Sequence, residues 1–297
     1  MSNVLFTGVM SALVSPLRED GSINEQSARA LMRWQLDAGL AGFYVCGASG
    51  EGVVMRPEAR KRLTELAVEE AAGRGAVIAH VGAVDMRTAV ELAEHAASAG
   101  ANAVASVPPF FYPYALPEIA AYYRALAGAS GLPTLVYATP MAGTAFTRDM
   151  VAALMEIEGV VGLKWTNPDY YAMGRIKQIA GGDINVLNGP DETLLCGLCM
   201  GADGGIGSTY NVMPSLYARL YGHFKAGRLE EARAAQLQAN RIIEVLLEYG
   251  VLPGIKEMLS LLGFDMGYCT PPLKRFSGDE RAAFFDRLAG TGWPEAK

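Results

Sequence analysis

Histidine is scarce in this chain, at three residues in 297, and no H-x-x-H or H-E-x-x-H spacing occurs. A catalytic metal held by paired imidazoles is therefore not expected. Cysteine is nearly as rare: Cys46, Cys196, Cys199 and Cys269 all fall in apolar sequence. That pattern predicts buried thiols in a reducing cytoplasm rather than a disulfide framework. Cys196-Gly-Leu-Cys199 resembles half a zinc or redox site, but it lies within DETLLCGLCMGA, which reads as a helix. With no second Cys/His pair nearby, core packing is the expectation. Basic residues are also in deficit, since 25 Lys and Arg face 31 Asp and Glu for a net charge of −6. Nucleic acid or an anionic membrane would call for clustered positive charge, so neither is an expected partner. No apolar run approaches the ~18 residues of a membrane span. The opening MSNVLFTGVMSALVSPLRED has no basic residue ahead of its apolar patch and reads as a first strand, not a secretory signal. No G-x-G-x-x-G follows it, which counts against a dinucleotide-binding fold.

What is present is a regular alternation. Short apolar or β-branched runs occur at 8–17, 41–49, 76–83, 101–109, 133–140, 160–167, 184–190 and 203–211. Helix-like segments separate them; 59–74, for example, places Leu63, Leu66 and Ala67 on one face. Gly39, Gly73, Gly100, Gly131, Gly159 and Gly181 suit left-handed positions at helix ends. Eight strand-then-helix units predict an α/β fold, a closed (β/α)8 TIM barrel, with a doubly wound open sheet as runner-up. The barrel is expected over 1–225. Residues 226–297 read as a helical extension of about three helices, one with an apolar face through Ile242, Val245, Leu246 and Tyr249. That face is expected to pack on the barrel, as one structural unit with it, or on a partner subunit.

In such a barrel, catalytic groups sit at the C-terminal ends of the strands. Those ends carry GASGE (Gly47, Ala48, Ser49, Gly50, Glu51), PPFFYPY (with Phe110, Phe111 and Tyr112) and Tyr137 in VYATP. They also carry Lys164 and Thr166 in VVGLKWTN, NGPDE (Gly189, Asp191, Glu192), and GGIGSTYN (Gly205, Gly207, Ser208, Thr209). Lys164 is the only one of seven lysines that falls in a predicted strand. Alternation puts Gly162, Lys164 and Thr166 on one face and Val161, Leu163 and Trp165 on the other. The bulky set suits the helices, so Lys164 should point inward, with Gly162 leaving room beneath it. Burial favours the neutral amine, a nucleophile toward a carbonyl; the competing reading is an inward lysine paired with a carboxylate. Tyr137, one strand away, can donate and accept a proton or simply bond a backbone carbonyl. GASGE is either a tight turn or a nest of N–H groups with the Ser49 hydroxyl, suited to a carboxylate. Asp191 and Glu192 either cap a helix or bind a polyol. GGIGS lacks a nearby Lys or Arg, which favours a hydroxylated over a phosphorylated substrate. His80 reads as a satisfied core histidine.

These residues together resemble the pyruvate-dependent class I aldolase family that holds N-acetylneuraminate lyase and dihydrodipicolinate synthase. The match runs from about Gly8 to about Gly263 and rests on five motifs in order: the G-x-[ST]-G-E turn, Y-x-x-P with Tyr137, G-x-K with Lys164, NGxDE, and GADGGIGSTYN. The resemblance implies a Schiff base between Lys164 and the C2 carbon of pyruvate, with Tyr137 moving protons. It implies that Ala48, Ser49 and Gly50 hold the carboxylate, and that the assembly is a homotetramer. The iminium serves as electron sink, so no cofactor or metal is implied. The lyase branch is the nearer match, which carries sugar-tail contacts over to Thr166, Gly189, Asp191, Glu192 and Ser208, with Gly207 beside them. The synthase branch has an arginine where this chain has Ala142, and an apolar site cannot clamp a second carboxylate. Ala48 stands where the lyase turn usually has Ser or Thr, and Ala138 where Asn is common. Phe111, with Tyr112 next to it, stands where a neighbouring subunit usually contributes Tyr. Losing a relay hydroxyl costs roughly one to three orders of magnitude in rate. The expected reaction is cleavage of N-acetylneuraminate to N-acetylmannosamine and pyruvate. The alternatives are another 2-keto-3-deoxy sugar acid, a synthase-like condensation, or a keto-acid-binding barrel without turnover.

Overall fold

A computed structural model describes residues 2–293; residue 1 of the predicted barrel and 294–297 of the predicted extension lie outside it. Eight parallel strands close into a barrel in the order β1 to β8. The first four repeats are β1 (Gly8–Ala12), α1 (Glu25–Asp37), β2 (Gly42–Val45), α2 (Pro57–Ala71), β3 (Ala76–His80), α3 (Met86–Ala99), β4 (Ala103–Ser106) and α4 (Leu116–Ser130). The second four are β5 (Thr134–Ala138), α5 (Arg148–Met155), β6 (Val160–Trp165), α6 (Tyr170–Lys177), β7 (Asn185–Asn188), α7 (Leu194–Cys199), β8 (Gly204–Gly207) and α8 (Pro214–Lys225). Each observed strand lies inside a predicted apolar run. Three further helices follow: α9 (Leu229–Tyr249), α10 (Val251–Leu261) and α11 (Gly278–Ala289). α9 buries Ile242, Val245 and Leu246, the face expected from its period. Among the described residues, no helix is long and apolar enough to cross a membrane.

Strand alternation sorts the apolar residues into two cores. Met10, Ala12, Tyr44, Ile78, Ala105, Leu135, Tyr137, Leu187 and Ile206 fill the barrel. Val9, Phe43, Val45, Val77, Val104, Val136, Leu163, Trp165 and Val186 meet the surrounding helices. Local chemistry sets the helix ends. Asn24, Asp85, Thr147, Asp169 and Ser277 each accept a backbone N–H of the first turn, a cap worth about 1 kcal/mol.

Three expectations are corrected. Val161 packs against the interior core rather than the helices, because the β5–β6 register shifts at Thr134/Leu135 and breaks the alternation. Gly162 does not leave a void under Lys164: a Cβ there would lie 2.0 Å from the Asn185 carbonyl, so the glycine admits the β7 backbone. Cys196 and Cys199 are exposed, whereas Cys46 and Cys269 are buried. Helix α7 spans under two turns and turns Leu194, Gly197 and Leu198 inward, which leaves both cysteines on its outer face.

Candidate active site

The β5–β6 pairing makes Tyr137 and Lys164 register partners, so both side chains project into the barrel at one level. Lys164 is 5% exposed and Tyr137 4%. The Lys164 Nζ lies 4.6 Å from the centroid of the Tyr137 ring and 4.7 Å from that of Tyr44. Among the described residues it forms no ion pair, so the alternative of a carboxylate-paired inward lysine is not what the fold builds. The Tyr44 and Tyr137 rings meet edge to face, 5.9 Å apart, and complete a wall around the amine. Burial pushes the Tyr44 phenol well above its ordinary range, and its hydroxyl has no partner among the described residues.

His80 touches both rings, with centroids 6.0 Å from Tyr44 and 6.1 Å from Tyr137. Its Nδ1 bonds the Cys46 carbonyl at 3.0 Å, and its Nε2 accepts the Val107 N–H at 3.3 Å. Burial first, then the Arg60 guanidinium, hold its pKa down to about 3, so it is neutral. Arg60 is itself buried and donates to the His80 and Gly82 carbonyls.

The GASGE turn leaves β2 through two non-glycine residues in the left-handed region, Cys46 and Glu51, each with φ 58°. Glycine is required between and beside them. A Cβ on Gly50 would sit 2.8 Å from the Leu13 carbonyl, and one on Gly52 only 1.8 Å from that of Cys46. Glu51 N–H donates to the Ala48 carbonyl, while the N–H groups of Ala48, Ser49 and Gly50 have no protein acceptor among the described residues. Three free donors beside a serine hydroxyl suit a carboxylate. The Ser49 and Ser208 hydroxyls share a 2.6 Å hydrogen bond, which joins the loops after β2 and β8, the two neighbours of β1.

Asp191 is neither a helix cap nor free. One carboxylate oxygen accepts the Thr209 N–H at 2.6 Å and the Thr209 hydroxyl at 2.7 Å; the other accepts the Ser208 N–H at 3.2 Å. It braces the β8 loop that carries Ser208. Burial pushes its pKa up to about 6, against the Thr209 hydrogen bonds that lower it. Glu192, its neighbour, is exposed. Thr166 has a buried hydroxyl without a partner among the described residues, and a Cβ on Gly189 would come within 1.9 Å of it. Gly207 is similarly confined, since a Cβ would lie 2.5 Å from the Asp191 carboxylate. Phe111 and Tyr112 are 85% and 65% exposed. They border a groove of about 720 Å3 that also reaches Met141 and Ala142.

Sequence reasoning missed Tyr44 and a buried ion pair between Glu51 and Lys256, and it placed Thr209 at a strand end without giving it a role. Tyr44 had a signal, a polar-tipped aromatic at an inward strand position. Lys256 had one too, because it shares a helical face with Leu252 and Leu259 at i−4 and i+3. The partner of that lysine had none.

Known proteins resemble this chain over nearly its whole length. N-acetylneuraminate lyase of Rhizobium meliloti (strain 1021) is 39% identical over 290 residues, covering 97% of each chain. That of Fusobacterium nucleatum is 35% identical over 272 residues, covering 91% of this chain and 93% of the other. Among solved structures, a catalytic lysine mutant of the Ruminococcus gnavus sialic acid aldolase superposes with a TM-score of 0.92 at 29% identity and covers 98% of both chains. The model of the dihydrodipicolinate synthetase family matches residues 5–289, nearly the full length, and the chain belongs to that family.

Proposed function

We propose that this protein is a class I aldolase that cleaves N-acetylneuraminate to N-acetylmannosamine and pyruvate through a Schiff base on Lys164. The observation that carries the reading is the Lys164 amine, buried between two phenol rings with no carboxylate partner among the described residues. The lyase relatives support the substrate. In this reading Nζ adds to the C2 ketone and water leaves to give the iminium. Tyr137 moves the C4 hydroxyl proton as the C3–C4 bond breaks, and the bonding pair enters the iminium to form an enamine. N-acetylmannosamine departs, C3 takes up the proton, and water releases pyruvate and the free amine. The free N–H groups at 48–50 with Ser49 hold the carboxylate. Thr166, Glu192 and Ser208 meet the polyol, Gly189 leaves room for the Thr166 hydroxyl and Gly207 for the Asp191 carboxylate, and Asp191 holds the β8 loop.

The lost hydroxyl at Ala48 favours one second reading, turnover of a different 2-keto-3-deoxy sugar acid. A pyruvate-release assay on N-acetylneuraminate and 2-keto-3-deoxygluconate, with Lys164→Ala as blank, separates the two. Borohydride reduction in the presence of pyruvate tests the chemistry: a mass adduct on Lys164 is expected, and none would leave only a binding barrel. We further propose a cytoplasmic homotetramer without nucleic-acid or membrane partners, with Phe111 and Tyr112 contributed to a neighbouring subunit. Light scattering on the eluted protein reads the subunit number.

A further inference from the structure

We infer that the Glu51–Lys256 ion pair positions the carboxylate-binding turn, which makes helix α10 a working part of the keto-acid site. The inference rests on the aldolase reading above. Glu51 closes the GASGE turn from the left-handed region, which a non-glycine residue occupies only when its surroundings impose it. Its carboxylate is the hold. One oxygen lies 2.6 Å from Lys256 Nζ, with side chains 1% and 3% exposed, and the other accepts the Thr270 N–H at 2.5 Å. Lys256 also donates to the Tyr268 carbonyl at 2.9 Å. The turn is thus fastened to α10 and to residues 268–270, while Ser15 fixes it on the other side through the Gly50 carbonyl at 2.6 Å.

A buried ion pair is a poor device for stability alone, because desolvation of two charges offsets much of their attraction and an apolar pair would serve as well. What the pair adds is direction and neutrality. Hydrogen bonds fix where the turn points its free N–H groups. The Lys256 charge also cancels a carboxylate that sits one residue from the site of an incoming carboxylate. Lys256 touches no substrate in this scheme; it acts through Glu51.

The test uses the full chain and two keto compounds: pyruvate, which carries the carboxylate, and methyl pyruvate, which lacks the charge. Borohydride trapping on Lys164 is followed against the concentration of each. In Lys256→Met the half-saturating pyruvate concentration is expected to rise by about tenfold or more, with methyl pyruvate shifted less than about twofold and trapping at saturation largely kept. Should Lys256→Met fail to fold, Glu51→Gln/Lys256→Met buries no unpaired charge and carries the test, with a severalfold pyruvate-selective shift expected. Equal shifts for both compounds, or no shift in a folded variant, overturn the positioning role. Failure of the unmodified protein to trap pyruvate on Lys164 overturns the aldolase reading instead, whatever the variants do.

Discussion

Lys256 and Lys164 are buried to a similar degree, 3% and 5% exposed, in surroundings that differ in kind. Lys256 meets a carboxylate at 2.6 Å and a backbone carbonyl at 2.9 Å. Lys164 meets two aromatic faces and no acid among the described residues. An amine that has both a counter-charge and an acceptor is held in one geometry and engaged by both. Ring faces confine an amine without engaging it in an ion pair, which leaves it open to a carbonyl carbon. Burial alone therefore does not mark a reactive lysine; the partner does.

The contrast breaks most sharply on substitution. Lys164→Ala is expected to lower kcat for pyruvate release by at least about 10^4-fold. Its melting temperature should hold or rise, since no compensated charge is lost; a clear fall in melting would undo the contrast. Next in size is the ring pair. Tyr137→Phe should lower kcat by about 10^2- to 10^4-fold with a smaller change in KM. Tyr44→Phe removes a hydroxyl with no partner among the described residues, so steady-state kinetics should show a far smaller loss, and equal losses would make Tyr44 a proton carrier as well. Lys256→Met strands a buried carboxylate and is expected to cost about 3–5 kcal/mol in denaturant unfolding. A cost near zero would mean that Glu51 finds water or another donor.

The smallest effect is one of pH. The His80 pKa is about 3 in the fold against an ordinary value near 6.5, so the unfolded chain takes up a proton first as pH falls. The stability that His80 contributes is complete above about pH 6.5 and is lost toward pH 3, at up to about 1.4 kcal/mol per unit. Asp191, with its pKa raised to about 6, acts in the opposite sense and favours the fold increasingly as pH falls from 6 toward 4. Melting temperatures from pH 7 to 4 should thus fall less steeply in His80→Gln than in the unmodified chain. Matching slopes would show that His80 takes up its proton as readily in the fold as in the unfolded chain.

Much of the site was legible because strand periodicity is local. A lysine amid apolar residues in a strand, a tyrosine on the preceding strand and a glycine-bounded turn each announce themselves within a few residues. The period failed where a register shift intervened, at Val161, and where a helix was too short for its pattern to fix which face is buried, at Cys196 and Cys199. Asp191 was read as a cap or a polyol ligand because its true donors, the Ser208 and Thr209 N–H groups, belong to another loop.

Order along the chain was enough for the barrel, its eight repeats and the inward lysine, since alternation and helix period depend on near neighbours. Which buried charge would be paired was settled by folding. Glu51 and Lys256 are distant in sequence, and only closure of the barrel and return of α10 across it bring carboxylate and ammonium together, while Lys164 is left facing rings. Pairing depends on distances through space, and those belong to the folded chain.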